Sequence, residues 1–241
     1  MARIGSFHLI SEPTWKRPLA LIRLGLDRPR LQRVDGLHFW RLLGTGSGSD
    51  TGPGADLSRT AVFAVWDTEA DLERFLAGHP IAKRWTGAEE AWHVRLRSLG
   101  GHGQWRGVEP LEGMEKGARD GAVAIITRAD VQLRATRGFG RAGREVDTEL
   151  HTAPGLIDVV GVGEAPIGRQ ATFSLWESMG AARSFPYSMP RHQQVIEETR
   201  VEGWYTEEMF ARFEPYASTG TWDGRNPIGG SQDSASNTPA P

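Results

Sequence analysis

GQWRGVEP, Gly103 to Pro110, and GTWDGRNP, Gly220 to Pro227, spell one pattern, G-x-W-x-G-x-x-P, at an offset of 117 residues in a chain of 241. A repeat of that period divides the chain into two units of roughly 100 residues, each with the same order of elements. Reading backwards from each copy, the match continues. TAVFAVWD (Thr60 to Asp67) aligns with QATFSLWE (Gln170 to Glu177). Both alternate as strands do, and both close on Trp followed by a carboxylate. Before each lies an apolar run that falls into glycine, LHFWRLLGTGSG from Leu37 and LIDVVGVGEAPIG from Leu156.

The elements follow in order. ARIGSFHLI reads as an opening strand, and TWKRPLALIRLGLDRPRLQRV leans towards helix, interrupted at Pro18 and Pro29. Leu37 to Leu43 and Thr60 to Trp66 read as two strands joined by a Gly-rich loop. DTEADLERFLAG, acidic in its first turn and ending at Gly78, reads as a helix. HPIAKRWTGAEEAW adds a second helical piece, and WHVRLRSLG returns as a strand. The second half repeats the order: the strand GAVAIITRA, a glycine-weakened helix from Val131, two strands, a broken helix from Glu177 to about Arg200, and a last strand near Met209 to Tyr216. Each half is thus β-α-β-β-α-β, the ferredoxin-like order, whose helices leave one sheet face bare. The expected fold class is α+β, with tandem ferredoxin-like repeats packed sheet to sheet as a dimeric α/β-barrel-like core within one chain. The expected boundaries are 1–110 for the first repeat, 111–120 for a linker, 121–227 for the second repeat, and 228–241 for a Gly/Ser/Pro-rich disordered tail.

Composition narrows the chemistry. With 28 basic and 30 acidic residues the formal charge is −2, which offers no electrostatic case for nucleic acid as a partner. The absence of Cys removes disulfides, thiol nucleophiles and Cys-ligated metals. There is no apolar run of 18 residues and no secretory h-region at the N-terminus, so the expectation is a cytoplasmic protein with no transmembrane segment. HxH, HExxH, Walker and G-x-S-x-G motifs are absent. GTGSGSDTGPG has the glycines of a phosphate loop but not its Lys-Ser/Thr ending, and it lies between two strands, so it reads as a hairpin loop. The seven His residues (His8, His38, His79, His93, His102, His151 and His192) are scattered singly, with no metal-ligand spacing.

The halves differ most after the Trp-carboxylate, where FLAGHPIAKRW stands against FPYSMPRHQQVIEETR. His79 directly precedes Pro80, which pushes it to extended geometry outside a helix. In the second half Ser188 can N-cap, Pro190 suits a first turn, and His192 falls inside the helix on a stripe with Val195, Ile196 and Thr199. Such a His is either a satisfied core residue or a neutral imidazole offered to a haem iron, and periodicity does not choose between them.

These segments also carry a resemblance. FWRLLGTGSG, AVFAVWD with HPIAKRW, IGRQATFSLW, the Y…PRH…I stretch and GWYTEEMFARF with GTWDG are similar, in this order over roughly residues 4 to 227, to segments of the spheroidene monooxygenase family. The most specific is Gly203 to Phe213. The resemblance implies a haem-dependent monooxygenase carrying haem b, with His192 as the axial ligand of the iron and Tyr187 and Arg191 as cofactor-binding neighbours; Arg191 is suited to a carboxylate. It also implies a small apolar or biosynthetic-intermediate substrate and an external electron donor, and it leaves a homo-oligomer open. FPYSMPRHQQV departs from the glycine- and histidine-rich turn of the carotenoid enzymes, which puts the carotenoid substrate in doubt. A haem enzyme of N–O or N–N chemistry, similar to aldoxime dehydratase, and a non-catalytic carrier of haem or an apolar ligand are the alternatives.

Overall fold

A computed structural model describes residues 2–46, 58–118, 120–132, 149–164, 169–188 and 205–229. In chain order the elements are β1 (Ile4–Ser11), α1 (Arg17–Leu26), α2 (Arg28–Leu31), β2 (Leu37–Thr45), β3 (Arg59–Trp66), α3 (Glu69–Gly78), α4 (Pro80–Trp85), β4 (Glu90–Gly103), β5 (Val123–Val131), β6 (Leu156–Gly163), β7 (Arg169–Trp176), α5 (Met179–Ser188) and β8 (Tyr205–Gly220). Local chemistry explains the helix boundaries. Thr68 caps α3 by accepting the Asp71 N–H at 3.2 Å, with Glu69 and Asp71 complementing the helix dipole in the first turn. The helical stretch from Thr14 breaks just before Pro18 and just before Pro29, as the sequence suggests; each proline sits in a first turn, where its missing N–H costs nothing, and so starts α1 and α2.

The eight strands form a closed, fully antiparallel barrel in the order β1-β3-β2-β6-β7-β5-β8-β4. Within the first half the order is β4-β1-β3-β2, and within the second β8-β5-β7-β6. The halves therefore meet edge to edge as well as face to face. One seam is long: β4 and β8, of 14 and 16 residues, pair from Trp92 opposite Gly220 to Gly103 opposite Met209. The other is short, with Gly44 opposite Gly163 and Thr45 opposite Val162. Closure satisfies the edge strands that a two-layer packing leaves unpaired.

The barrel interior is filled. Phe7 stacks on Phe173 at 3.9 Å between ring centroids, Phe63 lies 5.8 Å from Phe213, and all four rings are fully buried. Trp105 packs on Phe39 and Phe63, and Trp222 on Trp92 and Phe173. Both Trp residues belong to the repeated G-x-W-x-G-x-x-P, and their surroundings explain that pattern. Gly103 and Gly220 have φ of +90° and +79°, and a Cβ on either would collide with a carbonyl of the neighbouring strand, that of Glu208 or Ala91. The next residues form a two-residue turn with positive φ at both central positions, Arg106 (+55°) and Gly107 (+71°) in one copy, Asp223 (+52°) and Gly224 (+79°) in the other.

Each turn is held by a carboxylate from the opposite half. Glu207 accepts the Arg106 and Gly107 N–H groups, both at 2.7 Å. Glu90 accepts those of Asp223 and Gly224 at 3.1 and 2.7 Å. Glu90 and Glu207 are themselves 117 residues apart, so the clasp is reciprocal. The pattern is an architectural lock across the halves.

Between the halves, Met114 is buried in the barrel core and its backbone bridges to Arg3. Ile228, at the start of the expected tail, packs against the same core. Residues 230–241, the Gly-rich loop over 47–57, most of the expected helix after β5 (133–148), and 189–204 lie outside the described residues.

Candidate functional site

With the interior occupied by aromatic rings, the outer faces of the sheet are where a ligand can sit. The two halves can be compared position by position, because Ile4 lies opposite Trp66 in the first and Val123 opposite Trp176 in the second. The equivalence extends to side chains. Trp66 contacts Phe75 of α3 at 5.0 Å between centroids, and Trp176 contacts Phe185 of α5 at 5.6 Å.

One cross-strand row on the outer face separates the halves. In the first it runs Leu42, Val62, His8, His93 over β2, β3, β1 and β4. In the second the same positions on β6, β7, β5 and β8 hold Gly161, Thr172, Thr127 and Phe210. In the first half the row is a packed layer. Leu42, Val62 and His8 are 6%, 7% and 1% exposed, and Trp85 of α4 lies over His8 and His93 at 4.9 and 5.5 Å between centroids. The cavity beside it, lined by Leu42, Val62, Ile81 and Trp85 among others, has a volume of about 30 Å³, the share of one water. In the second half glycine replaces leucine and a threonine replaces histidine, and Thr127 is exposed at the centre of the sheet. Around it stand Ile125, Val159 and Phe210. The row thus carries less side-chain volume than in the first half, and two hydroxyls, those of Thr127 and Thr172.

The first half is closed by a polar chain beneath Trp85. Trp66 Nε1 donates to Ser6 Oγ at 2.8 Å, Ser6 Oγ meets His8 Nε2 at 2.9 Å, and His8 Nδ1 meets His93 Nδ1 at 2.9 Å. Two imidazole nitrogens this close share one proton, so at least one of the two rings is neutral. Burial pushes the His93 pKa down to about 4, and burial followed by the neighbouring His93 holds His8 well below its ordinary value. The sequence shows these two residues 85 positions apart and scattered; the β1–β4 register brings them together. No sequence motif marks the pair.

A second difference concerns charge. Arg95 on β4 pairs with Glu69 and Glu73 of α3. Its counterpart on β8 is Arg212, and the α5 positions matching those acids are Met179 and Arg183. Arg212 has no ion pair among the described residues, and its Nε is buried without a hydrogen-bond partner. Among the described residues the second outer face thus holds a cation with no ion-pair partner.

The predicted site residues fall unevenly on this geometry. Arg191 and His192 lie outside the described residues, and Tyr187 is in the last turn of α5 with its side chain outside them. The first half supplies the comparison. PIAKRW of α4 aligns at the offset of Trp66 to Trp176 with PRHQQV, so Pro80 matches Pro190, Ile81 matches Arg191 and Ala82 matches His192. Ile81 and Ala82 are 2% and 3% exposed and belong to the cluster under the sheet's outer face. His79 is accounted for structurally: its Nδ1 caps α4 by accepting the Ile81 N–H at 3.3 Å. No group of three or more His, Cys, Asp or Glu capable of holding a metal occurs among the described residues.

The described residues thus form a closed antiparallel α+β barrel with a filled interior. Its fold is similar to that of two solved aldoxime dehydratases, one in complex with butyraldoxime (TM-score 0.60, 12% identity, 88% of this chain and 79% of that one) and another at TM-score 0.58, 12% identity and 88% and 81% coverage. No family model matches the sequence. Curated relatives decide the family. Spheroidene monooxygenase of Rhodobacter capsulatus is 31% identical over 88% of this chain and 89% of its own length, and that of Rubrivivax gelatinosus is 33% identical over 79% and 73%. The chain belongs to the spheroidene monooxygenase family and is an oxidoreductase of the monooxygenase class.

Proposed function

We propose that the protein is a haem b-dependent monooxygenase whose cofactor lies on the outer face of the second half, with His192 as the axial ligand of the iron. The observation that supports this most directly is the loss of side-chain volume along Gly161, Thr172 and Thr127, where the first half is filled by Leu42, Val62 and His8. A planar apolar group needs such a floor, and Ile125, Val159 and Phe210 suit its faces and edges. The match of His192 to Ala82 supports the ligand, since that position in the first half is buried against the sheet.

In this reading the chain's residues divide the work. His192 would hold the iron through a ring nitrogen. Arg191 and Arg212 would meet the haem carboxylates, and Tyr187 would contribute to the pocket. Thr127 and Thr172 orient ligands by hydroxyl hydrogen bonds, and the apolar surroundings exclude water. When bound, haem supplies the redox-active iron at which dioxygen is activated, with electrons from an external donor. The substrate is a small apolar or biosynthetic-intermediate molecule, and spheroidene itself is the name carried by the relatives. The same reading takes the chain as tandem ferredoxin-like repeats, residues 1–110 and 121–227, joined by 111–120, within the cytoplasm.

Protein made in haem-supplemented cells should carry a Soret band and one haem per chain by pyridine haemochrome. His192→Ala should lose the band and the substrate-dependent oxygen uptake while keeping its far-UV circular dichroism. A colourless wild type, or a His192→Ala variant with unchanged spectrum, would sink the assignment. Turnover of an aldoxime without dioxygen would replace oxygenation with N–O chemistry on the same cofactor.

A further inference from the structure

We infer that the protein docks on anionic lipid surfaces through α1 and the turn before it, lying in the membrane interface without crossing it. Trp15, Leu19, Ile22 and Leu26 are 76%, 43%, 59% and 60% exposed. They follow at spacings of four, three and four residues, which places them on one stripe of the helix. Ala20, on the opposite side, is buried, so α1 is apolar on two faces while the barrel covers one.

The fold does not require this ridge. The interval from β1 to β2 equals that from β5 to β6, and the residues at the same offset in the second half are Arg134, Gly138, Arg141 and Glu145. No apolar side chain stands at any of the four.

Charge identifies the occupant. Residues 14 to 33 hold six basic residues, Lys16, Arg17, Arg23, Arg28, Arg30 and Arg33, against one acid, Asp27. Asp27 is 4% exposed and engaged by Arg30 and Arg84. Arg28, Arg30 and Arg33 are exposed. Lys16 lies over the Trp15 ring at 5.0 Å, which sets a cation beside the aromatic that would enter the headgroup region. The chain as a whole is −2, so this is a local excess. A basic helix that exposes Trp, Leu and Ile on one stripe matches what binds anionic interfaces. A second copy is a poorer occupant. Ridge-to-ridge pairing would oppose two sets of like charges, and four apolar side chains fall far short of the roughly 20 residues a side that a stable dimer uses. No helix among the described residues is long and apolar enough to cross a membrane, in keeping with an interfacial position.

The test uses the full chain in flotation assays with vesicles of phosphatidylcholine alone and with roughly a quarter phosphatidylglycerol. The protein should float with the anionic vesicles, at least about ten-fold more weakly with the neutral ones, and should be released by roughly 0.5 M salt. The double variant Ile22→Glu, Leu26→Glu should bind anionic vesicles at least about ten-fold more weakly while keeping its circular dichroism and melting temperature, since both side chains are exposed. Wild type that stays in solution with both compositions overturns the inference, including the case where it runs as a dimer that the double variant abolishes. Equal binding by wild type and the double variant overturns it too. The readout needs neither haem nor turnover, so its failure is separate from any failure of the proposed function.

Discussion

The two halves of the barrel follow the same strand order and differ in what fills their outer faces. In the first, Leu42, Val62, His8 and His93 form a layer sealed by Trp85. In the second, Gly161, Thr172, Thr127 and Phe210 occupy the same row and leave Thr127 exposed. The lesson is a division of labour within one architecture. Large side chains make the first face a structural core, and smaller ones stand at the same positions of the second without altering the backbone path.

The comparison can be broken by exchanging residues across it. Gly161→Leu, which installs the first half's residue, should reduce oxygenase turnover and haem content at least about 100-fold while the protein still folds, read by haem titration and circular dichroism. If it binds haem normally, the relieved row is not the site. The reverse change should act on stability alone. Leu42→Ala empties a buried position in the first half and should cost about 3 kcal/mol in urea unfolding, with haem content unchanged.

The clasps offer a finer comparison, because they share geometry and differ in surroundings. Glu207 also pairs with Arg128, whose side chain is 2% exposed, whereas Glu90 holds only its turn. Glu207→Ala leaves a buried cation with Asp130 as its remaining ion-pair partner and should cost about 3 kcal/mol. Glu90→Ala should cost about 1 kcal/mol. Equal costs would show that the turns, and not Arg128, set the energetics.

A further effect is graded with pH. His8 and His93 stay neutral in the folded protein, while in the unfolded chain each takes up a proton near pH 6.5. Between pH 6.5 and the folded value of about 4 for His93, the unfolded state binds more protons, so stability falls as pH falls through that window. Above pH 6.5 this contribution is fully present. The expected slope is on the order of 1 kcal/mol per pH unit for each histidine. His93→Phe, which copies Phe210, should flatten the dependence of the urea midpoint on pH.

Much of the fold was legible because period-two alternation and repeated Trp-carboxylate endings survive in single sequences. TAVFAVWD and QATFSLWE became β3 and β7, and DTEADLERFLAG became α3, ending at Gly78 as read. The breaks at Pro18 and Pro29 were legible as well, because a proline cannot sit in a helix interior and each one starts a new helix. The candidate site is a different matter: the contrast between HPIAKRW and MPRHQQV singles out His192, which lies outside the described residues, whereas the row of Gly161, Thr172, Thr127 and Phe210 is spread over β5, β6, β7 and β8, and only strand pairing collects it. Arg212, with no ion pair among the described residues, was missed for the same reason: the acids that pair with its counterpart Arg95 belong to α3 of the other half.

What the sequence determined by itself was the element order, the absence of thiol chemistry and the family. These are written in local patterns and in composition. The tertiary structure alone decided that the two sheets close edge to edge, that each half's Glu holds the other half's turn, that His8 meets His93, and that one outer face is filled and the other relieved. Each depends on which residues of distant strands come into register, and a register is set by the packing of the whole barrel.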